Sequence, residues 1–144
     1  MKTLLGGCGA DSGRGGEAAD GQEVELPGQE RLEFHHLPES HRQARIGDVV
    51  LLDVHNTTGM THPWHLHGFT AQPRSLTFED GARFDFPPGE WEDTVAIPGG
   101  ATLRVIVPVR DPAGDGSAAG RWMEHCHLLQ HGERGMMSEW VVTE

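Results

Sequence analysis

The chain has 144 residues, 22 acidic against 11 basic side chains, a formal net charge of −11, and 36% hydrophobic residues. That length suits one domain with a modest core, and the acidic balance excludes the basic footprint of a nucleic-acid binder. No apolar run approaches the ~18–20 residues of a membrane-spanning helix, and two cysteines cannot frame a disulfide scaffold.

In chain order, residues 1–30 come first, rich in glycine and acids and poor in large apolar side chains. Such a segment buries too little surface to offset its ordering entropy, so it reads as a flexible leader or tether. Within it, Leu5-Gly6-Gly7-Cys8 partly resembles a bacterial lipoprotein processing site, which makes Cys8 a candidate lipid tether. Residues 31–144 are expected to form a single all-β domain. Strands are predicted at Arg45–His55, Pro63–Gln72, Ser75–Phe78, Glu92–Ile97, Thr102–Val109, Arg121–His127 and Glu139–Thr143. Gly-, Pro- and Asp-rich turns separate them, among them Pro87-Pro88-Gly89 and Pro98-Gly99-Gly100. Several short strands at this spacing point to an antiparallel sandwich or barrel. The turn after His127 is the one place where a helical period shows.

The unusual count is histidine: 10, with no tyrosine. Two clusters hold most of them, His62-Pro63-Trp64-His65-Leu66-His67-Gly68 and His125-Cys126-His127-Leu128-Leu129-Gln130-His131, the latter followed by Gly132 to Met136. Side chains alternate along a strand, so His65 and His67 share one face, and His125 and His127 share one, with Cys126 opposite them. His62, three residues before His65, falls on the Cys126 side. A glycine-containing loop after Cys126 can bring His131 and Met136 back over the thiol.

This sorting separates two donor sets. His62, Cys126, His131 and Met136 supply two imidazoles, a thiolate and a weak thioether, the ligand set of blue-copper electron-transfer sites. His65, His67, His125 and His127 form an all-imidazole set that suits copper, zinc or iron. Cys126 is joined through the backbone to both His125 and His127, a short covalent path between the sets. A lone histidine or free cysteine is usually a core residue, but that reading would have to hold for eight residues in register at once. Structural zinc normally recruits more cysteines or other spacings.

The motifs H-P-W-H-L-H-G and H-C-H-L-L-Q-H-G-E-R-G-M-M resemble those of the C-terminal cupredoxin domain of multicopper oxidases, the family of laccases, bilirubin oxidases and bacterial copper-efflux oxidases. Trp91-Glu92-Asp93-Thr94-Val95 resembles a further segment of that domain, and the likeness covers roughly residues 45–143. The resemblance implies a Greek-key β-sandwich and a type 1 copper held by His62, Cys126, His131 and Met136. It also implies His65 on a type 2 copper and His67, His125 and His127 on type 3 coppers. The implied activity is one-electron oxidation of a reducing substrate (a phenol, an aromatic amine or a metal ion) coupled to reduction of O2 to water.

Two departures sharpen this reading. The family's trinuclear cluster takes four H-x-H pairs from two domains, and this sequence holds two pairs; His35, His36, His41 and His55 contain no further pair. Completion therefore requires a second copy about a two-fold axis or a partner cupredoxin domain, unless the chain is a fragment that keeps a type 1 site and half a cluster. Second, Gln130 stands where bacterial members commonly carry a proton-relaying glutamate, and an amide has no accessible ionisation at neutral pH. Asp93 and Glu124 are the substitutes within reach, both of a type that is usually a surface acid. A non-enzymatic blue-copper electron carrier and a copper-binding module are the alternatives to an oxidase. Copper chemistry and the Cys8 leader together suggest an extracytoplasmic location, periplasmic or secreted.

Overall fold

A computed structural model describes residues 2–8 and 42–144. Its elements are β1 (Lys2–Cys8), β2 (Arg42–Arg45), β3 (Val49–Asn56), β4 (His62–Leu66), β5 (Gln72–Phe78), β6 (Arg83–Asp85), β7 (Thr94–Ile97), β8 (Ala101–Pro108), β9 (Gly120–Cys126), α1 (Leu129–Glu133) and β10 (Met137–Thr143). They form two five-stranded sheets, β1-β3-β8-β5-β6 and β2-β10-β9-β4-β7. Pairing is antiparallel except at one edge of each sheet, where β1 runs parallel to β3 and β2 parallel to β10. This is the expected all-β sandwich.

Alternation builds the core. In β3, Val50, Leu52 and Val54 are buried, and they lie opposite Val107, Val105 and Leu103 of β8. Trp64, Leu66, Val95, Ile97, Trp140 and Val142 fill the core from the second sheet. Each such side chain contributes about 1.5–3 kcal/mol by leaving water.

Two predicted strands are divided where the chain passes from one sheet to the other. Arg45–His55 breaks at a turn in which Gly47 has φ 95° and the Asp48 carboxylate accepts the Arg45 N–H at 2.9 Å. That places β2 in the second sheet and β3 in the first. Pro63–Gln72 breaks at Gly68, φ 77°, between β4 and β5. The short edge strand β6 carries little apolar periodicity and was not anticipated. The brief helical stretch after His127 is α1. Of the leader read at 1–30, the described part is Lys2–Cys8, as β1; the rest of it, and the Cys8 side chain, lie outside the described residues.

Candidate metal centre

Strands β4 and β9 lie side by side with Trp64 opposite Cys126, His65 opposite His125 and Leu66 opposite Glu124. Opposed residues in an antiparallel pair project to the same face. Hence His62, Trp64, Glu124 and Cys126 point into the sandwich, while His65, His125 and His127 point outward. The pairing extends past β9, where the His127 N–H donates to the Pro63 carbonyl at 2.8 Å.

On the inner side His62, Cys126 and His131 form one compact trio. Cys126 Sγ is 3.7 Å from His62 Nδ1 and 3.7 Å from His131 Nδ1, and the two nitrogens are 3.1 Å apart. All three are buried, as is Met136. Helix α1 brings His131 back over the thiol: the His131 N–H donates to the Leu128 carbonyl at 2.9 Å. Gly135, φ 95°, then turns the chain so that the Met136 N–H reaches the His131 carbonyl and the Met136 carbonyl accepts the Cys126 N–H, both at 3.0 Å. Burial lowers the pKa of His62, reinforced by the neighbouring His131, and lowers that of His131, reinforced by Arg134. Burial pushes the Cys126 thiol up, against a backbone hydrogen bond from Leu128. Two neutral imidazoles and a protonated thiol result, so loading a cation here must displace the thiol proton.

The donor spacing fits a single ion. Three donors in one plane at bond lengths of about 2.0–2.1 Å for nitrogen and 2.3 Å for sulfur lie about 3.6 Å apart (N to N) and 3.8 Å apart (N to S). The sulfur–nitrogen edges already match, and the nitrogen–nitrogen edge needs to open by about half an ångström.

On the outer side His65, His67 and His125 form a second group of candidate donors. His65 is central, with ring centroids 4.7 Å from His67, 5.3 Å from His125 and 5.1 Å from His127. The His125 and His127 rings stack at 5.6 Å. His65 Nδ1 lies 3.0 Å from the Asp93 carbonyl and 2.8 Å from Thr94 Oγ1, and His125 Nδ1 lies 2.9 Å from the Cys126 carbonyl. A carbonyl only accepts, so both Nδ1 atoms carry the proton and both rings keep a lone pair on Nε2. His125 Nε2 is 2.9 Å from His67 Nε2. His65 and His67 rim an open cleft of about 320 Å³, which Leu66, Gly68, Phe69, Thr70 and Asp93 also line. Burial lowers the pKa of His65, partly offset by its hydrogen bond to the Asp93 backbone.

The structure separates the two acids considered as proton-relay substitutes. Asp93 is exposed and sits beside the outer group, with a carboxylate oxygen 4.0 Å from His65 Nδ1. Glu124 is not the surface acid its residue type suggests: it is buried in the core, on the face opposite the outer histidines. Its carboxylate accepts from Trp64 Nε1 at 2.8 Å, Trp140 Nε1 at 2.7 Å and Arg42 Nε at 2.8 Å. Desolvation pushes its pKa up, but the Arg42 charge and these donors outweigh it, and the net shift is downward. A relay through Glu124 is therefore disfavoured. Gln130 is exposed on α1. Among the remaining histidines, His55 contacts Thr102 Oγ1 across β3 and β8, and His35, His36 and His41 lie outside the described residues.

Sequence reasoning passed over Arg42, Asn56 and Thr58. Asn56 and Thr58 are buried and polar; Thr58 stands against His62, and Asn56 against Thr58. Their only signal in the sequence is a polar Asn-Thr-Thr run that reads equally well as a turn.

The family model for multicopper oxidases matches residues 17–144. The chain belongs to the multicopper oxidase family. It is 36% identical over 106 residues to copper resistance protein A of Pseudomonas syringae pv. tomato, covering 69% of this chain and 14% of that one. It is 28% identical over 115 residues to a laccase of Bacillus subtilis, covering 69% and 21%. Among solved structures, a multicopper oxidase from Campylobacter jejuni superposes with a TM-score of 0.62 at 28% identity, over 72% of this chain and 20% of that one. The chain thus spans about a fifth or less of the length of these relatives. Copper is the cofactor the family implies, and the inner trio is suited to it in donor type and spacing.

Proposed function

We propose that this domain is the electron-entry and half-cluster unit of a laccase-like multicopper oxidase. In this reading His62, Cys126 and His131, with Met136 beside them, hold a type 1 copper. His65 serves a type 2 copper, and His67, His125 and His127 serve type 3 coppers. The observation that carries the reading is the placement of two donor sets on opposite faces of one sheet, joined by the run His125-Cys126-His127.

When bound, copper supplies one-electron oxidation at the inner trio and four-electron, four-proton reduction of O2 to water at a completed histidine cluster. The chain's own residues do the rest. Cys126 releases its proton and offers thiolate density to the site. Its backbone continues without a gap into His125 and His127, so electron density has a covalent path through the sheet. The Asp93 and Cys126 carbonyls hold His65 and His125 with Nε2 turned away from the backbone. Burial keeps water from the inner trio, while the outer face stays open.

The outer face carries half of the eight imidazoles a trinuclear cluster uses. A second copy related by a two-fold axis, or a partner cupredoxin domain, supplies the other half. The reducing substrate is a phenol, an aromatic amine or a metal ion. The site of action is extracytoplasmic.

Copper stoichiometry measured with solution mass tests this. A two-fold pair should hold about five coppers, two of type 1 and three shared, with an intense blue colour and oxygen consumption. One copper per monomeric chain, blue but without oxidase activity after addition of partner domains, would refute the oxidase and leave an electron carrier. Colourless copper binding would refute the type 1 assignment as well.

A further inference from the structure

Histidine 62 has a feature that the type 1 reading does not require: its second ring nitrogen is already committed. His62 Nε2 lies 2.7 Å from Thr58 Oγ1, in a buried contact. Thr58 Oγ1 lies 2.8 Å from Asn56 Oδ1 and also accepts the Met60 N–H at 3.2 Å. Asn56 Nδ2 in turn sits against three carbonyls, those of Met60 at 2.7 Å, Ile97 at 2.9 Å and Pro98 at 3.1 Å.

Proton placement along this chain follows from donor and acceptor capacity. Three carbonyls around one amide atom require that atom to be the NH2, because the reversed amide would set oxygen against three oxygens. Asn56 Oδ1 therefore faces Thr58, where it accepts the Thr58 N–H at 3.0 Å. Two oxygens compete for the single hydroxyl proton of Thr58, Asn56 Oδ1 at 2.8 Å and the Met60 carbonyl at 3.2 Å; the closer pair takes it, since two oxygens 2.8 Å apart need a proton between them, and neither placement directs it at His62. With that proton committed, Thr58 Oγ1 can only accept from His62, so Nε2 carries the ring proton. A neutral imidazole has one N–H, and Nδ1 is left with its lone pair. Nδ1 is the atom that faces Cys126 Sγ and His131 Nδ1.

We propose that Asn56 and Thr58 are positioning residues that lock His62 in the Nε2–H tautomer and hold its Nδ1 lone pair ready for the cation. His62 is then the preformed ligand of the trio. His131 is the adaptable one: with His62 Nδ1 unprotonated, the 3.1 Å contact between the two rings requires His131 Nδ1 to donate while no cation is bound, and on loading the ring proton must pass by exchange with solvent from Nδ1 to Nε2, which leaves the imidazole neutral. The device is anchored by β3 and by the Pro98 turn. Gly99 is part of the fit, since a Cβ there would lie 2.7 Å from the Thr58 carbonyl. The proposal rests on the type 1 reading for its function but not for its geometry.

The test separates the two. Long-range proton–nitrogen correlation spectra of the full chain, nitrogen-labelled at histidine, metal-free, at about pH 8 where imidazoles are neutral, report the tautomer directly. Expected are a protonated Nε2 and a bare Nδ1 for His62; an Nδ1–H tautomer, or a fast-exchanging mixture, would overturn the proposal. The second measurement is titration with Co(II), whose thiolate absorption marks the trio through its dependence on Cys126. T58V is matched in shape but lacks the acceptor, and it should bind Co(II) roughly 10–100-fold more weakly, whereas T58S should regain the parent affinity. Parent-like binding by T58V would overturn the proposal, as would failure of T58S to regain it while folding as the parent does. Absence of the Co(II) thiolate band in the parent chain would instead remove the type 1 reading, with the tautomer result still decided by the metal-free spectra.

Discussion

Glu124→Gln is the sharpest perturbation of the scaffold that holds the centre. Glu124 Oε1 accepts from Trp64 Nε1 and from an Arg42 guanidinium nitrogen, and Oε2 accepts from Trp140 Nε1 and Arg42 Nε. A glutamine replaces one of these oxygens with an NH2. In either orientation, one tryptophan N–H and one Arg42 N–H meet a donor instead of an acceptor. An orphaned buried donor costs about 1–3 kcal/mol. Removing one partner of a buried ion pair costs about 3–5 kcal/mol, discounted here because the Arg42 side chain keeps 15% of its exposure against 2% for Glu124. A loss of about 3 kcal/mol follows. With an unfolding slope of about 1.5–2 kcal/mol/M, the urea midpoint should fall by about 1.5–2 M at unchanged slope. A double-mutant cycle with Arg42→Gln should show coupling of about 1 kcal/mol or more between the two positions. A loss below about 1 kcal/mol for Glu124→Gln would refute the reasoning, because it would mean that the tryptophan and arginine donors find water in the folded chain.

The same carboxylate makes stability depend on pH. Its folded pKa lies below the ordinary glutamate value of 4.5, so its contribution is complete above that value and is lost as pH falls through the folded one; urea midpoints of the parent and Glu124→Gln should therefore converge in acid, and a constant gap would contradict the ion pair. Cys126→Ser should abolish the blue absorption and remove about one copper per chain while leaving the sandwich folded by circular dichroism; a retained blue band would place the thiolate elsewhere. Gln130→Glu places an ionisable group at an exposed position beside the centre and, under the proposed oxidase function, should raise oxygen turnover once the second half of the cluster is supplied; an unchanged or lower rate in oxygen-electrode assays would count against a proton-relay role there. Gly68→Ala places a methyl group on the Trp122 ring at a residue with φ 77°. Thermal unfolding should show a loss of about 2 kcal/mol or more, and a neutral result would mean that the β4–β5 loop relaxes freely.

The donor sets were legible in the sequence because strand parity is a local property. Once His62–Leu66 and the run to Cys126 are extended, alternation sets His65 apart from its inward neighbours and His125 apart from Cys126; the β4–β9 register then puts His65 and His125 on one face. The pairing of Trp64 with Cys126 then follows the expected antiparallel arrangement. The return of His131 over the thiol was expected from a glycine-containing loop, but the structure makes it with α1; Gly132 and Gly135 lie beyond His131, and it is the approach of Met136 that the Gly135 turn serves. Less legible were the breaks at Gly47 and Gly68, where an apolar pattern that continues in sequence is shared between two sheets.

Glu124 shows where local reasoning stops. Its parity with Cys126 was available, and parity alone places it on the inner face. Yet a carboxylate is tolerable there only because Arg42 reaches it, and Arg42 lies 82 residues away on a strand that the sequence did not announce. β2 pairs with β10, β10 pairs with β9, and that order brings the guanidinium over the core. The Asn56–Thr58–His62 chain is similar: the carbonyls that orient Asn56 include those of Ile97 and Pro98, some forty positions along. The sequence by itself determined the all-β class and the side-by-side grouping of histidines and cysteine within each motif, because these depend on the period of a strand and the chemistry of side chains. Only the tertiary structure decided how a buried acid is neutralised and which nitrogen of His62 faces the thiol. Both depend on donors and acceptors that distant strands bring to within 3 Å, and no local pattern encodes such a contact.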